Sequence, residues 1–109
     1  MAIEDDIKLC TQYLRQRDHA INRKIPFNLS LKKFRQLKQT THCYYTGIKL
    51  ITGEEASPTA WSLDRLDNNK GYEDNNVVVA CHIINAKKSN LTIDEIKAIY
   101  NGLEKKKLI

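Results

Sequence analysis

Apolar residues recur at Ile7, Cys10, Tyr13 and Leu14, with charged residues on the positions between them. That helical spacing predicts an amphipathic helix over Glu4 to Asn22, with Cys10 as a small buried hydrophobe. Pro26 breaks the pattern and leaves Arg23 to Asn28 as a connector. Ser30 stands just before Leu31, Phe34 and Leu37, which predicts a second helix with Ser30 as its N-cap. The other face of that helix carries Lys32, Lys33, Arg35 and Lys38, a stripe that suits either solvent or phosphate.

The period then changes. Thr40 to Thr52 is short, aromatic and β-branched, with Gly47 as punctuation, and predicts a small turn or hairpin. Gly53 to Thr59 reads as a polar loop containing Pro58. Ala60 to Leu66 predicts a strand, with Trp61, Leu63 and Leu66 as apolar candidates. Asp67 to Asn76 is rich in Asn, Asp and Gly and predicts a loop. Val77 to Ala80 predicts a buried strand or loop end, and His82 to Lys88 a helix that Ser89-Asn90-Leu91 terminates. Thr92 and Glu95 make a T-x-x-E capping box ahead of Ile96, Ile99, Tyr100 and Leu103. A C-terminal helix from about Ile93 to Lys106 follows, with Lys105, Lys106 and Lys107 complementing its dipole.

These elements predict an α+β fold. A small β-hairpin and the helix after it form the centre, and the flanking helices pack around them. No repeat, low-complexity segment or linker interrupts the 109 residues. One domain over residues 1–109 is therefore expected, helical over 1–40, with a core near 43–91 and the last helix near 93–106.

Composition changes this picture at one point. Charged residues at 28% and hydrophobic residues at 41% are ordinary for a globular chain, but the net charge is +5. With a pI near 9.2, the chain favours an anionic partner, of which nucleic acid is the commonest. No apolar run approaches the roughly 18 residues of a membrane span. The acidic start, Met1 to Asp6, has no signal-peptide core. A cytoplasmic protein without a membrane partner is expected. Three cysteines, Cys10, Cys43 and Cys81, argue against a disulfide framework.

The candidate chemistry lies between Asp64 and Lys88. Asp64-Arg65 ends a strand, a polar loop follows, and the next helix carries Asn85. A carboxylate and an amide oxygen are hard ligands suited to one Mg²⁺ or Mn²⁺, with water and phosphate completing the shell. Such an ion stabilises charge on a scissile phosphate. Arg65, Lys70, Lys87 and Lys88 are candidate phosphate contacts; each of the three lysines is also consistent with a solvated surface. Trp61 reads as core rather than as a stacking platform. No base-reading element is present, so weak sequence preference is expected.

Taken in order, Cys43-Tyr44-Tyr45-Thr46-Gly47, Asp64-Arg65, Lys70-Gly71-Tyr72, Asn76 and Cys81-His82-Ile83-Ile84-Asn85 resemble the HNH endonuclease family. The likeness spans about Cys43 to Leu91 and is strongest to a phage-type subgroup with Asp-Arg in place of Asp-His. It implies a β-hairpin and helix gripping one metal ion, held by Asp64 and Asn85, and hydrolysis of DNA phosphodiester bonds in a bacterial or phage-infected cell. RNA stays open as a substrate. The resemblance makes Asn76 the residue that fixes the loop through backbone bonds. It puts Arg65 where the family's histidine deprotonates water.

Two departures follow. The family often holds zinc with two C-x-x-C pairs, and here the partner positions are Thr46 and Ile84. Cys43 and Cys81 alone argue against structural zinc, and Ile84 is expected to replace metal by packing. Arginine keeps its proton, so Arg65 is suited to binding phosphate and not to accepting a proton. His82, three residues before Asn85 on one helix face, is a candidate base. Tyr72, His42, Asp67, the metal's own hydroxide and a substrate phosphate are alternatives. The competing reading is a catalytically silent HNH-type module that binds nucleic acid or a protein.

Overall fold

In the computed structural model, which describes residues 3–51 and 57–109, eight elements follow one another. They are α1 (Ile3–Asn22), β1 (Phe27–Asn28), α2 (Leu31–Lys38), β2 (Trp61–Arg65), β3 (Tyr72–Glu73), β4 (Val77–Cys81), α3 (His82–Lys88) and α4 (Ile93–Lys105). Residues 52–56, most of the predicted polar loop from Gly53 to Thr59, lie outside the described residues. Met1 and Ala2 of the acidic start do too. No described helix is long and apolar enough to cross a membrane.

The centre is the expected β-hairpin and helix. β2 and β4 pair antiparallel with Trp61 opposite Cys81 and Asp64 opposite Val78. β4 runs directly into α3. Leu63, Val77, Val79, Ala80 and Cys81 bury their side chains with Leu29, Phe34 and Leu37. An aromatic chain joins the elements: Tyr13 to Phe27 and Phe34 at 5.4 and 5.5 Å, Phe34 to Trp61 at 5.9 Å, all edge-on. Edge-on contacts of this kind stabilise beyond what the buried area of the rings contributes. The Trp61 indole N–H donates to Leu37 O at 3.1 Å.

α1 forms where predicted but turns a different face inward. Ile7 and Leu14 are exposed, and so is Cys10, which is not the buried hydrophobe expected. Leu9 and Ala20 are buried instead, with Tyr13 packed beside them and its hydroxyl donating to Leu29 O at 2.5 Å. Apolar residues lie on both sides of α1, and the aromatic core around Phe34 selects the line through Leu9, Tyr13 and Ala20.

The Arg23 to Asn28 connector contains a strand. Lys24 takes a positive φ of 59° and the Ile25 N–H returns to Ala20 O at 2.8 Å, closing α1 in the left-handed manner common at helix ends. β1 then pairs in parallel with β3, Phe27 opposite Tyr72. Gly71 allows that approach: a Cβ there would meet Pro26 O at 2.4 Å. Two-residue strands leave no periodicity to read, so the sequence shows only loops at both places.

Ser30 caps α2, its Oγ accepting from Lys33 N at 3.0 Å. Asp74 holds the same residue, accepting from the Ser30 N–H and hydroxyl, each at 2.8 Å. Those two bonds, the backbone one foremost, hold the Asp74 carboxyl below its usual range. The Cys43 to Gly47 segment is a tight turn, closed by an antiparallel bridge from His42 to Lys49 with Gly47 at φ 72°. Tyr44 N donates to Val79 O at 2.8 Å and fixes the turn to β4.

Thr92 and Glu95 complete both bonds of the capping box on α4. The helix does not pack as expected, however: none of its residues is buried, and Ile99 and Tyr100 stay about half exposed. Periodicity and capping form the helix, and neither specifies a partner face.

Candidate functional site

Asp64 sits near the end of β2 with only 4% of its surface exposed. The Tyr45 hydroxyl donates to its Oδ2. Lys88, on the last turn of α3 and equally buried, places Nζ 3.2 Å from Oδ2 and 3.4 Å from Oδ1. The same ammonium donates to Arg65 O at 3.2 Å. A buried carboxylate requires such partners. Burial, and then the bond to Asp64, push the Tyr45 phenol well above its ordinary value. Tyr45 therefore acts here as a donor.

Asn85 lies one turn before Lys88 on α3. Its Nδ2 donates to Ser62 Oγ at 2.7 Å and to Leu63 O at 3.0 Å. Both are donor bonds, so they leave the amide oxygen for another partner. His82, at the first position of α3, is exposed. Asp64, Arg65, His82 and Asn85 line one cleft.

The loop between β2 and β4 is held by two side chains. Asn76 is buried; its Oδ1 accepts from Asp67 N at 2.9 Å, and its Nδ2 donates to Asp67 O at 3.0 Å and Gly71 O at 2.9 Å. Arg65 donates from Nη1 to Asn68 O at 3.0 Å and Lys70 O at 2.9 Å. Its guanidinium stands 5.4 Å from the Tyr72 ring centre. Arg65 thus ties loop carbonyls together, work the sequence did not reveal. Asp67 accepts from Asn69 N at 2.9 Å, an Asx turn.

The other named residues scatter. Lys70 and Lys87 are exposed. Lys88 was expected among the surface phosphate contacts and is instead turned inward onto Asp64. His42 is exposed and shares a 2.8 Å bond with Thr41. Cys43 and Cys81 lie in the core, with Ile84 packed against it. Burial pushes the Cys43 thiol up, but bonds from the Thr46 hydroxyl and the backbone of Cys81, Thr46 and Tyr45 outweigh it and bring the thiol down to about 7.

Among the described residues no three His, Cys, Asp or Glu side chains gather as a metal site. Asp64 brings the single carboxylate among the described lining residues of the cleft, and Asn85 an amide oxygen not used in its two donor bonds. That pair suits a hard divalent ion whose shell is mostly water and phosphate. Lys88 already supplies Asp64 with positive charge, so a cation there competes with the ammonium. The sequence named Asp64 and Asn85 but passed over Tyr45, although it stands inside the Cys43 to Gly47 motif.

No protein-family model matches the chain. An uncharacterized protein of Acanthamoeba polyphaga mimivirus is 31% identical over 83 residues, which is 76% of this chain and 14% of that protein. The chain thus spans a small part of that relative's length. Among solved structures, the rare-cutting HNH restriction endonuclease PacI superposes with a TM-score of 0.65 at 22% identity, over 90% of this chain and 78% of the other. Residues 3–51 and 57–109 therefore adopt an HNH-type α+β fold, with the β2–β4 hairpin and α3 at its centre.

Proposed function

We propose that this chain is a metal-dependent endonuclease that hydrolyses DNA phosphodiester bonds at the cleft between Asp64 and Asn85, acting as one HNH-like domain. The observation that carries this reading is the placement of those two oxygen donors on adjacent elements of an HNH-type hairpin and helix, within one cleft. The similarity to a restriction endonuclease supports the substrate class.

Asp64 and Asn85 Oδ1 would hold one Mg²⁺ or Mn²⁺. When bound, that ion supplies positive charge to the scissile phosphate and the leaving oxygen. Ser62 and Leu63 O orient the Asn85 amide, and Tyr45 orients Asp64. Hydrolysis joins a water oxygen to phosphorus as one P–O ester bond breaks, and the water proton needs an acceptor. Arg65 keeps its own protons and is engaged by two loop carbonyls. His82 is the imidazole on the Asn85 face of α3, so the acceptor role is assigned to it.

A second reading is favoured by the same ion pair. With Lys88 on Asp64 and Arg65 tied into the loop, the domain would bind nucleic acid without cutting it. Incubation of supercoiled plasmid with Mg²⁺ or Mn²⁺ separates the two. The nuclease reading expects nicking by the wild type, none by Asp64→Ala or Asn85→Ala, and a reduced rate for His82→Ala. DNA binding with no nicking above the Asp64→Ala background at any pH supports the silent module and sinks the nuclease.

A further inference from the structure

α1 contributes to the same cleft as β2 and α3, through residues spaced along one of its faces. Lys8 and Arg15 on α1 and Arg23, the residue just past its end, whose N–H still bonds back to His19 O at 3.1 Å, line the cleft. Their spacings of seven and eight residues place them two helical turns apart, about 11 Å between neighbours and about 22 Å end to end. One DNA strand advances about 3.4 Å per phosphate, so this stripe runs alongside some six of them.

Among the described lining residues, charge of one sign prevails. Five lysine and arginine side chains line the cleft: Lys8, Arg15, Arg23, Lys38 and Arg65. Asp64 is the single carboxylate among its described lining residues, and Lys88 already neutralises it. None of the described carboxylates of α1, Asp5, Asp6 and Asp18, lines the cleft. Asp6 instead pairs with Arg35 at 3.4 Å and Asp18 with Arg17 at 3.6 Å.

Lys38, one of the lining residues, shows the cost of this arrangement. Lys38 Nζ sits 4.1 Å from the Trp61 ring centre. Burial, and then the charge of Lys8, hold the Lys38 ammonium below its ordinary range. An anion lying between the two lysines relieves that repulsion.

We propose that α1 is a second backbone clamp. A nucleic-acid strand lies along the cleft with about every third phosphate against Lys8, Arg15 and Arg23, while Asp64 and Asn85 face the bond to be cut. The proposal rests on the nuclease reading of the same cleft and adds the track that holds its substrate. Phosphate contacts of this type position the strand and carry no sequence information.

The test is anisotropy titration of a short fluorescein-labelled DNA duplex in EDTA, across a salt series. The proteins are the wild type, the triple variant Lys8→Gln/Arg15→Gln/Arg23→Gln, and a control with Lys105→Gln/Lys106→Gln/Lys107→Gln. Both triples remove the same charge. With about 0.9 counterions released per contact, the α1 triple is expected to flatten the plot of log K against log salt by about 2 to 3 and to bind at least about tenfold more weakly. The control is expected to bind as the wild type does. Should thermal melting show the α1 triple unfolded, Lys8→Gln/Arg23→Gln is read instead, with a slope loss of about 2. Equal losses in both triples, or none in the α1 variant, overturn the clamp and leave the nuclease reading standing. A wild type that binds no duplex at low salt overturns both.

Discussion

Lys88 Nζ lies 3.2 Å from Asp64 Oδ2, with side chains only 3% and 4% exposed. The pair occupies the place where the proposed function requires a divalent ion, so protein cation and metal cation compete for one carboxylate. Removing one member of a buried ion pair costs about 3–5 kcal/mol, because the other charge is left stranded. Lys88→Met is therefore expected to lose about that much stability in EDTA. Mn²⁺ should restore more stability to Lys88→Met than it adds to the wild type, since any ion bound only by the folded state stabilises it. Urea denaturation with and without Mn²⁺ measures this. Equal Mn²⁺ effects on both proteins would remove Asp64 from the metal site.

Gly71 tests the loop geometry. Pro26 O would lie 2.4 Å from a Cβ at that position, and the same oxygen accepts from Tyr72 N at 2.9 Å. Gly71→Ala must push β1 and β3 apart. A loss of about 1–3 kcal/mol is expected, the usual scale of overpacking. Thermal unfolding reads it, and a wild-type melting temperature would show that the parallel β1–β3 contact is absent in solution.

Cys43 gives a pH dependence. Its thiol ionises near 7 in the folded chain, against an ordinary value of 9.0. A group lowered on folding contributes stability that is full above its unfolded value and is lost as pH falls through its folded value. The wild type should therefore gain stability between pH 7 and 9 relative to Cys43→Ala. Thr46→Val, which removes the foremost of the bonds that lower the thiol, should shrink that gain. Parallel stability curves for wild type and Cys43→Ala across this range would show that the thiolate is not held.

The elements that were legible in the sequence are those with local signals. Ser30 and Thr92 mark helix starts because capping bonds join residues three apart, and both are present. The strand around Leu63 and the helix from His82 follow from period and from the Asn- and Gly-rich loop between strands. Long-range pairing was not legible. The β1–β3 ladder joins residues more than forty apart, and the inward face of α1 is chosen by Phe34 and Phe27 rather than by α1. The same holds at the site. Asp64 and Asn85 stand out by residue type and order, whereas Tyr45, nineteen residues from the carboxylate in sequence, reaches Asp64 from a turn whose Tyr44 N–H donates to Val79 O. Lys88 looks like one more surface lysine until α3 turns it onto β2.

The measurement closest to the central claim is the single-turnover cleavage of a labelled DNA duplex by the wild type and by Asp64→Asn, side by side in Mn²⁺ and in EDTA. Asp64→Asn keeps the shape of the side chain while removing its charge. The predicted result is cleavage by the wild type in Mn²⁺ alone, and a rate reduced by about a hundredfold or more in Asp64→Asn, the scale expected when charge stabilisation at the phosphate is lost. Equal cleavage by both proteins, or cleavage that persists in EDTA, would contradict a metal-dependent centre at Asp64.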